Sequence, residues 1–153
     1  SGPFRNGKAT LWEGGLRVPA LLRWPGKLPK GKTSRQVAMS MDFTVTIAAA
    51  CGVRSSASEP FDGVDLTPLL NGKELERDVF WRINRQGQRA VAVRSGKWKY
   101  VREGSIDNLY DLSRDSGESR DLYYDYPDVA LALRKKIEAW EAQFVGIKSG
   151  PPG

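Results

Sequence analysis

Five apolar residues near the end of the chain, Val129, Leu133, Ile137, Trp140 and Phe144, recur at spacings of four, four, three and four. At about 3.6 residues per turn this draws one apolar stripe along a helix. Pro127-Asp128 stands where such a helix begins, since proline is tolerated in the first turn. A single stripe has to be buried against something, and the preceding stretch supplies it. Val79-Phe80-Trp81-Arg82-Ile83, Ala90-Val91-Ala92-Val93-Arg94, Trp98-Lys99-Tyr100-Val101 and Asn108-Leu109-Tyr110-Asp111-Leu112 alternate or cluster β-formers. Ser95-Gly96 and Gly104-Ser105 punctuate them. The pattern predicts a small antiparallel sheet covered by one helix. Leu133, Ile137, Trp140 and Phe144 should lie against strands holding Phe80, Val91, Val93 and Trp98.

The first half of the chain has a different character. Gly2, Gly7, Gly14 and Gly15 make residues 1–15 a loop that must bring backbone close to something. Residues 16–24 form a short apolar run closed by Pro25-Gly26, expected to be a buried strand with Pro19 near its start. Pro29 and Gly31 among lysines mark residues 27–32 as an exposed loop. Asp42 before the apolar run 43–51, and Gly52 after it, are the N-cap and C-terminal signals of a short helix. Residues 54–60 read as a linker and Asp62-Gly63-Val64-Asp65-Leu66 as a turn. Thr67-Pro68-Leu69-Leu70 can start a helical turn that stops at Asn71-Gly72. There is no internal repeat.

With 153 residues, 40% of them hydrophobic, the chain can build one domain or two packed subdomains, as a soluble globular protein. Residues 43–53, the longest apolar-rich stretch, are too few and too interrupted to span a membrane. Ser1-Gly2-Pro3-Phe4 carries no initiator Met and no secretory pattern, a start expected of a segment taken from a longer protein. The net charge of +6 comes from 24 basic and 18 acidic residues. Such a balance permits contact with a polyanion, but the two signs are interleaved along the chain, as on a solvated basic surface. No nucleic-acid or membrane partner is expected.

Histidine is absent, which removes the commonest acid–base group and metal ligand and any Ser-His or Cys-His pair. The one cysteine, Cys51, can form no internal disulfide. At the end of an apolar run it is expected to be a buried, inert thiol. Gly2-Pro3-Phe4-Arg5-Asn6-Gly7-Lys8-Ala9 nearly fits a phosphate-binding loop. Ala9, however, has no hydroxyl for a magnesium ion, Pro3 removes an N–H donor, and neither a strand nor a helix pattern flanks the loop. Asp62 with Asp65, and Asp111 with Asp115 and Glu118, lack calcium-loop spacing and are what turns require.

A longer pattern is more specific. Gly7-Lys8-Ala9-Thr10, then Glu13-Gly14-Gly15-Leu16-Arg17-Val18-Pro19 and a run ending Trp24-Pro25-Gly26, resembles the sulfatase family's Gly-Lys-x-Thr loop, Glu-Gly-Gly-x-Arg-x-Pro and Trp-Pro-Gly. Later pieces agree in order. Asp42-Phe43 with Thr46-Ile47 resembles that family's Asp-Leu-Phe-Pro-Thr helix start, with Val45 where proline is usual. Asp62 to Gly72 resembles its Asp-Gly-x-Ser/Asp-Leu-x-Pro-Leu-Leu-x-Gly element. Val93 to Tyr100, and Leu109-Tyr110-Asp111-Leu112 with Asp115 and Glu118, resemble its C-terminal sheet.

The resemblance implies an α/β fold, present here as an α+β fragment. Residues 1–75 would be the closing edge of the large sulfatase domain, and residues 76–153 a small C-terminal subdomain of antiparallel sheet plus helix. It implies a parent enzyme that hydrolyses aryl or carbohydrate sulfate esters with a formylglycine and a calcium ion, in a periplasmic or extracellular setting. The modification motif, Cys/Ser-x-Pro/Ala-x-Arg, is not met by Cys51-Gly52-Val53-Arg54-Ser55. The resemblance places most of that machinery in the family's N-terminal region, so no cofactor site is expected in this chain, which should need the N-terminal remainder as partner and be inactive alone. One catalytic residue carries over: Lys8, whose ammonium would hold a sulfate oxygen and steady charge on the leaving oxygen. Glu13 and Arg17 flank the loop-to-strand transition and are both expected to support the loop, through a buried ion pair or carboxylate–backbone bonds. Gly14-Gly15 would permit a tight turn, with positive φ open to them. Without the enzyme around it, the loop 1–15 could be mobile, pair with another copy or fold back. The alternative from another class is a non-catalytic module that binds a polyanion through a basic surface.

Overall fold

The computed structural model describes residues 2–56, 58–85 and 87–144. In chain order its elements are α1 (Glu13–Leu16), α2 (Ser40–Ala50), α3 (Thr67–Leu70), β1 (Asp78–Arg85), β2 (Gln88–Ser95), β3 (Trp98–Glu103), β4 (Ile106–Asp111) and α4 (Pro127–Ala142). The chain divides into two compact units. One takes the residues up to Pro19 together with those from Glu76 onward, and the other is Ala20–Leu75.

In the first unit the strands form an antiparallel meander in the order β1-β2-β3-β4. Two-residue turns set the register, with Ser95 opposite Trp98 and Glu103 opposite Ile106. Gly96 and Gly104 lead these turns at φ of 56° and 60°, where a side chain is costly. Because side chains alternate, the sheet has two distinct faces. On one, Val91, Val93, Tyr100 and Leu109 pack under Ala130, Leu133 and Ile137 of α4, with Phe80, Trp98 and Trp140 at the margin. This is the docking the apolar stripe predicts. Phe144 lies beyond the helix and meets Trp140 edge to face at 5.1 Å.

The opposite face is covered as well. Ala92, Val101 and Tyr110 lie beneath Leu11 and Trp12, with Leu16, Trp81 and Ile83 around them. The amino-terminal segment therefore folds back onto the sheet.

In the second unit, α2 starts one turn earlier than the sequence signal suggests. Met39 is the N-cap, and Asp42 is the third helical residue, its carboxylate accepting the Met39 N–H at 2.6 Å. Its other oxygen accepts the Val64 N–H at 3.0 Å, tying the helix to the following turn. Gly63 sits so close that a Cβ there would be 2.6 Å from the Met41 carbonyl oxygen. Gly52, at φ 80°, ends the helix: its N–H reaches the Ala49 carbonyl, and that of Val53 reaches Ala48. Thr67–Leu70 is the expected short helical turn.

Two expectations are corrected. Residues 17–24 are not a strand, and Val18 and Leu21 are 76% and 93% exposed. A strand needs a neighbour for its N–H and C=O groups, and no described strand pairs with this segment. Cys51 is exposed rather than buried, because it is the C-cap residue and lies past the packed turns of α2.

Candidate functional site

The candidate site is the loop that carries Lys8, on the sheet face opposite α4. Lys8 is exposed, and its ammonium makes no hydrogen bond or ion pair among the described residues. Its neighbours Asn6 and Ala9 have φ of 55° and 68°, the left-handed region, at a cost on the order of 1 kcal/mol for each residue. A backbone like this persists only where its surroundings hold it.

Part of that hold comes from Gly14 and Gly15 of α1. A Cβ on Gly14 would lie 2.2 Å from the Asn6 carbonyl oxygen, and one on Gly15 would lie 2.4 Å from that of Thr10. The glycines thus let the loop backbone press directly on the helix, and neither has positive φ; the expected special turn is a close approach instead. The Gly14 N–H donates to the Arg5 carbonyl at 3.0 Å, and the Thr10 hydroxyl to the Gly7 carbonyl at 2.7 Å.

Beneath lies a buried charged group. Lys99 is fully buried and places its ammonium 2.9 Å from Glu13 Oε1 and 2.7 Å from Glu118 Oε1. Glu118 Oε2 accepts the Glu13 backbone N–H at 2.6 Å. Glu118 is itself at φ 54°. Burial pushes its carboxyl above the ordinary range, and the Lys99 ammonium and the Glu13 N–H draw it back only in part. Arg5 completes the cluster. Its guanidinium lies 3.8 Å from the Trp12 ring centroid and donates to the Tyr110 hydroxyl at 2.9 Å and to the Glu118 carbonyl at 3.1 Å. Arg17 instead lies over the Phe4 ring at 4.7 Å.

Glu13 is therefore buried in an ion pair as expected of the loop's support, but its partner is Lys99 and not Arg17. Lys99 and Arg5 went unread in the sequence, and Glu118 read only as a turn carboxylate. The other acids of that cluster do serve turns: Asp111 accepts from Ser113, and Asp115 from Ser119 and Arg120.

The family described as N-sulphoglucosamine sulphohydrolase, C-terminal, matches residues 5–143, which include the whole of this loop and its supports. The chain belongs to the sulfatase family. It is 35% identical to arylsulfatase A of Bos taurus over 94% of this chain and 34% of that protein. Human arylsulfatase A is 34% identical over 99% of the chain and 36% of its own length. N-acetylgalactosamine-6-sulfatase of Sus scrofa is 37% identical, with 88% and 32% covered. The chain thus spans about a third of the length of these curated relatives. Among solved structures, that of Ps i-CgsB superposes with a TM-score of 0.84 at 25% identity, covering 91% of this chain and 32% of that one. All of these similarities place the chain as the C-terminal part of a sulfatase.

Sulfatases as a family use formylglycine and a metal. Among the described residues no three His, Cys, Asp or Glu side chains are placed to hold a metal ion. Cys51 stands outside the modification pattern. The chemistry available here is that of one exposed ammonium on a braced loop.

Proposed function

We propose that the chain is the C-terminal third of a sulfuric ester hydrolase acting on aryl or carbohydrate sulfate esters, and that it is inactive alone. The observation that carries this reading is Lys8, exposed on a loop anchored on either side of it through Arg5, Thr10, Glu13 and Gly14. In the whole enzyme its ammonium binds a sulfate oxygen and steadies the negative charge that grows on the leaving oxygen as the S–O bond breaks. A compact, strongly hydrated cation suits that task at a single point. The carbohydrate reading draws on the similarity to N-acetylgalactosamine-6-sulfatase and on the structure of Ps i-CgsB in complex with k-i-k-neocarrahexaose.

The N-terminal remainder is the partner this reading requires, and it would carry the formylglycine and the calcium site. In the whole enzyme residues 1–75 would close the edge of the large domain, and residues 76–153 would form the small one. Exposed Val18, Leu21 and Leu22 support such a partner, since an extended apolar run gains by pairing and burial. The test is an assay of the purified chain beside the full-length enzyme, on an aryl sulfate with calcium. Turnover by the full-length enzyme alone is expected. Turnover by the chain above a buffer blank, surviving repurification, would overturn the proposal.

A further inference from the structure

Both ends of the Lys8 loop converge on one buried residue. At its start Arg5 donates to the Glu118 carbonyl oxygen, and at its end the Glu13 N–H donates to Glu118 Oε2. Lys99 then bridges the Glu13 and Glu118 carboxylates from below, at 2.9 and 2.7 Å. The side chains of Lys99 and Glu118 are fully buried, so they cannot touch a substrate, and Glu13 is only 4% exposed.

Two carboxylates on one ammonium is a costly way to fill a core. Apolar residues of similar size often serve stability as well or better. The neighbouring residues of this face, Leu11, Trp12, Ala92, Val101 and Tyr110, show that an apolar filling is available here. What an ion-paired cluster supplies that apolar packing does not is a fixed position for the groups it bonds. Those groups are the two ends of the strained loop between Arg5 and Glu13.

We propose that Lys99 and Glu118 are positioning residues for the sulfatase reaction, closing the Arg5-to-Glu13 loop into a clasp that fixes where Lys8 points. The proposal rests on the reading of Lys8 as the sulfate-binding cation. Lys99 acts only through Glu13 and Glu118, and Glu118 acts through both its backbone and its carboxylate. Removal of the Lys99 charge leaves two buried carboxylates facing each other, and the Glu13 end of the loop then loses its anchor. A displacement of the ammonium on the order of 1 Å is enough to cost about a hundredfold in rate.

The experiment uses the full-length enzyme with Lys99→Met, Glu118→Gln and Lys8→Ala, each single and with Lys99→Met and Lys8→Ala combined. Lys99→Met keeps the stem and drops the charge, and Glu118→Gln keeps an acceptor for the Glu13 N–H. Expected are kcat losses of about 10- to 100-fold for Lys99→Met and about 3- to 10-fold for Glu118→Gln, with KM changed less than about threefold. In the Lys8→Ala background Lys99→Met should cost less than about twofold more, because the group it positions is gone. Hydrogen exchange should quicken at the amides of residues 6–15 while the β2 and β4 amides keep their protection. A Lys99→Met loss undiminished by Lys8→Ala, or unchanged exchange at residues 6–15 in both clasp variants, would overturn the proposal. A Lys8→Ala enzyme with wild-type kcat would instead sink the reading of Lys8, and the exchange data would still decide whether the clasp holds the loop. Should Lys99→Met fail to fold, Glu118→Gln, likewise combined with Lys8→Ala, carries the same two readouts.

Discussion

Gly14 accepts no side chain, because the Cβ of an alanine would meet the carbonyl oxygens of Asn6 and Arg5 at 2.2 and 2.4 Å. Both are backbone atoms of a loop that is already strained, so neither can yield cheaply. Gly14→Ala should therefore cost about 3 kcal/mol in a denaturant titration. A midpoint within error of wild type would show that the loop does not lie on α1. Asp111 offers a test by pH. The Ser113 hydroxyl first, and then the Lys97 ammonium, hold its carboxyl below the ordinary value. A depressed carboxylate adds stability that is present above its unfolded value, about 3.9, and is lost as pH falls through the lower folded one. Asp111→Asn should flatten the acid limb of the stability profile below about pH 4, and an unaltered limb would contradict this. Glu13 could be read as a buried support from its place between a loop and an apolar run. Lys99 could not, because a lysine among β-formers normally faces water. The signal lay in its companions: Trp81, Ile83, Ala92 and Val101 give that second face an apolar cover to share, but only once Leu11 and Trp12 are known to cap it.

Helix α4 and the meander were legible because their periods are long and consistent, and each glycine turn agrees with the strands on either side. Trp140 tests the docking. It stacks on Phe80 with ring centroids 5.1 Å apart and planes within 7°, and it carries Phe144 on its edge. Trp140→Ala should cost on the order of 3 kcal/mol, reduced from a full core loss by its partial exposure. An unchanged denaturation midpoint would mean that α4 is not seated there. The segment 17–24 was misread for the converse reason. An apolar run states that burial is wanted and not who provides it, and no described strand of this chain does. The Asp42 signal was displaced by three residues because a carboxylate can serve the helix start from the N-cap or from the third position.

At the scale of the molecule, the chain is the C-terminal part of a sulfatase, about a third of the length of its relatives, and the loop carrying Lys8, our proposed sulfate-binding residue, has supports within this chain. Collinear motifs made the family readable. The role proposed for Lys8 rests only on that resemblance, since an exposed loop lysine has no local signature of its task. The decisive measurement is the steady-state kinetics of full-length wild type, Lys8→Ala and Lys8→Arg on one sulfate ester, with melting curves alongside. Lys8→Ala should lower kcat by about a hundredfold or more, and Lys8→Arg should restore little, since a planar fork does not occupy the space of an ammonium. Stability should change by less than about 0.5 kcal/mol, because the side chain is exposed. A Lys8→Ala enzyme that turns over at the wild-type rate would contradict the assignment of Lys8 to the sulfate.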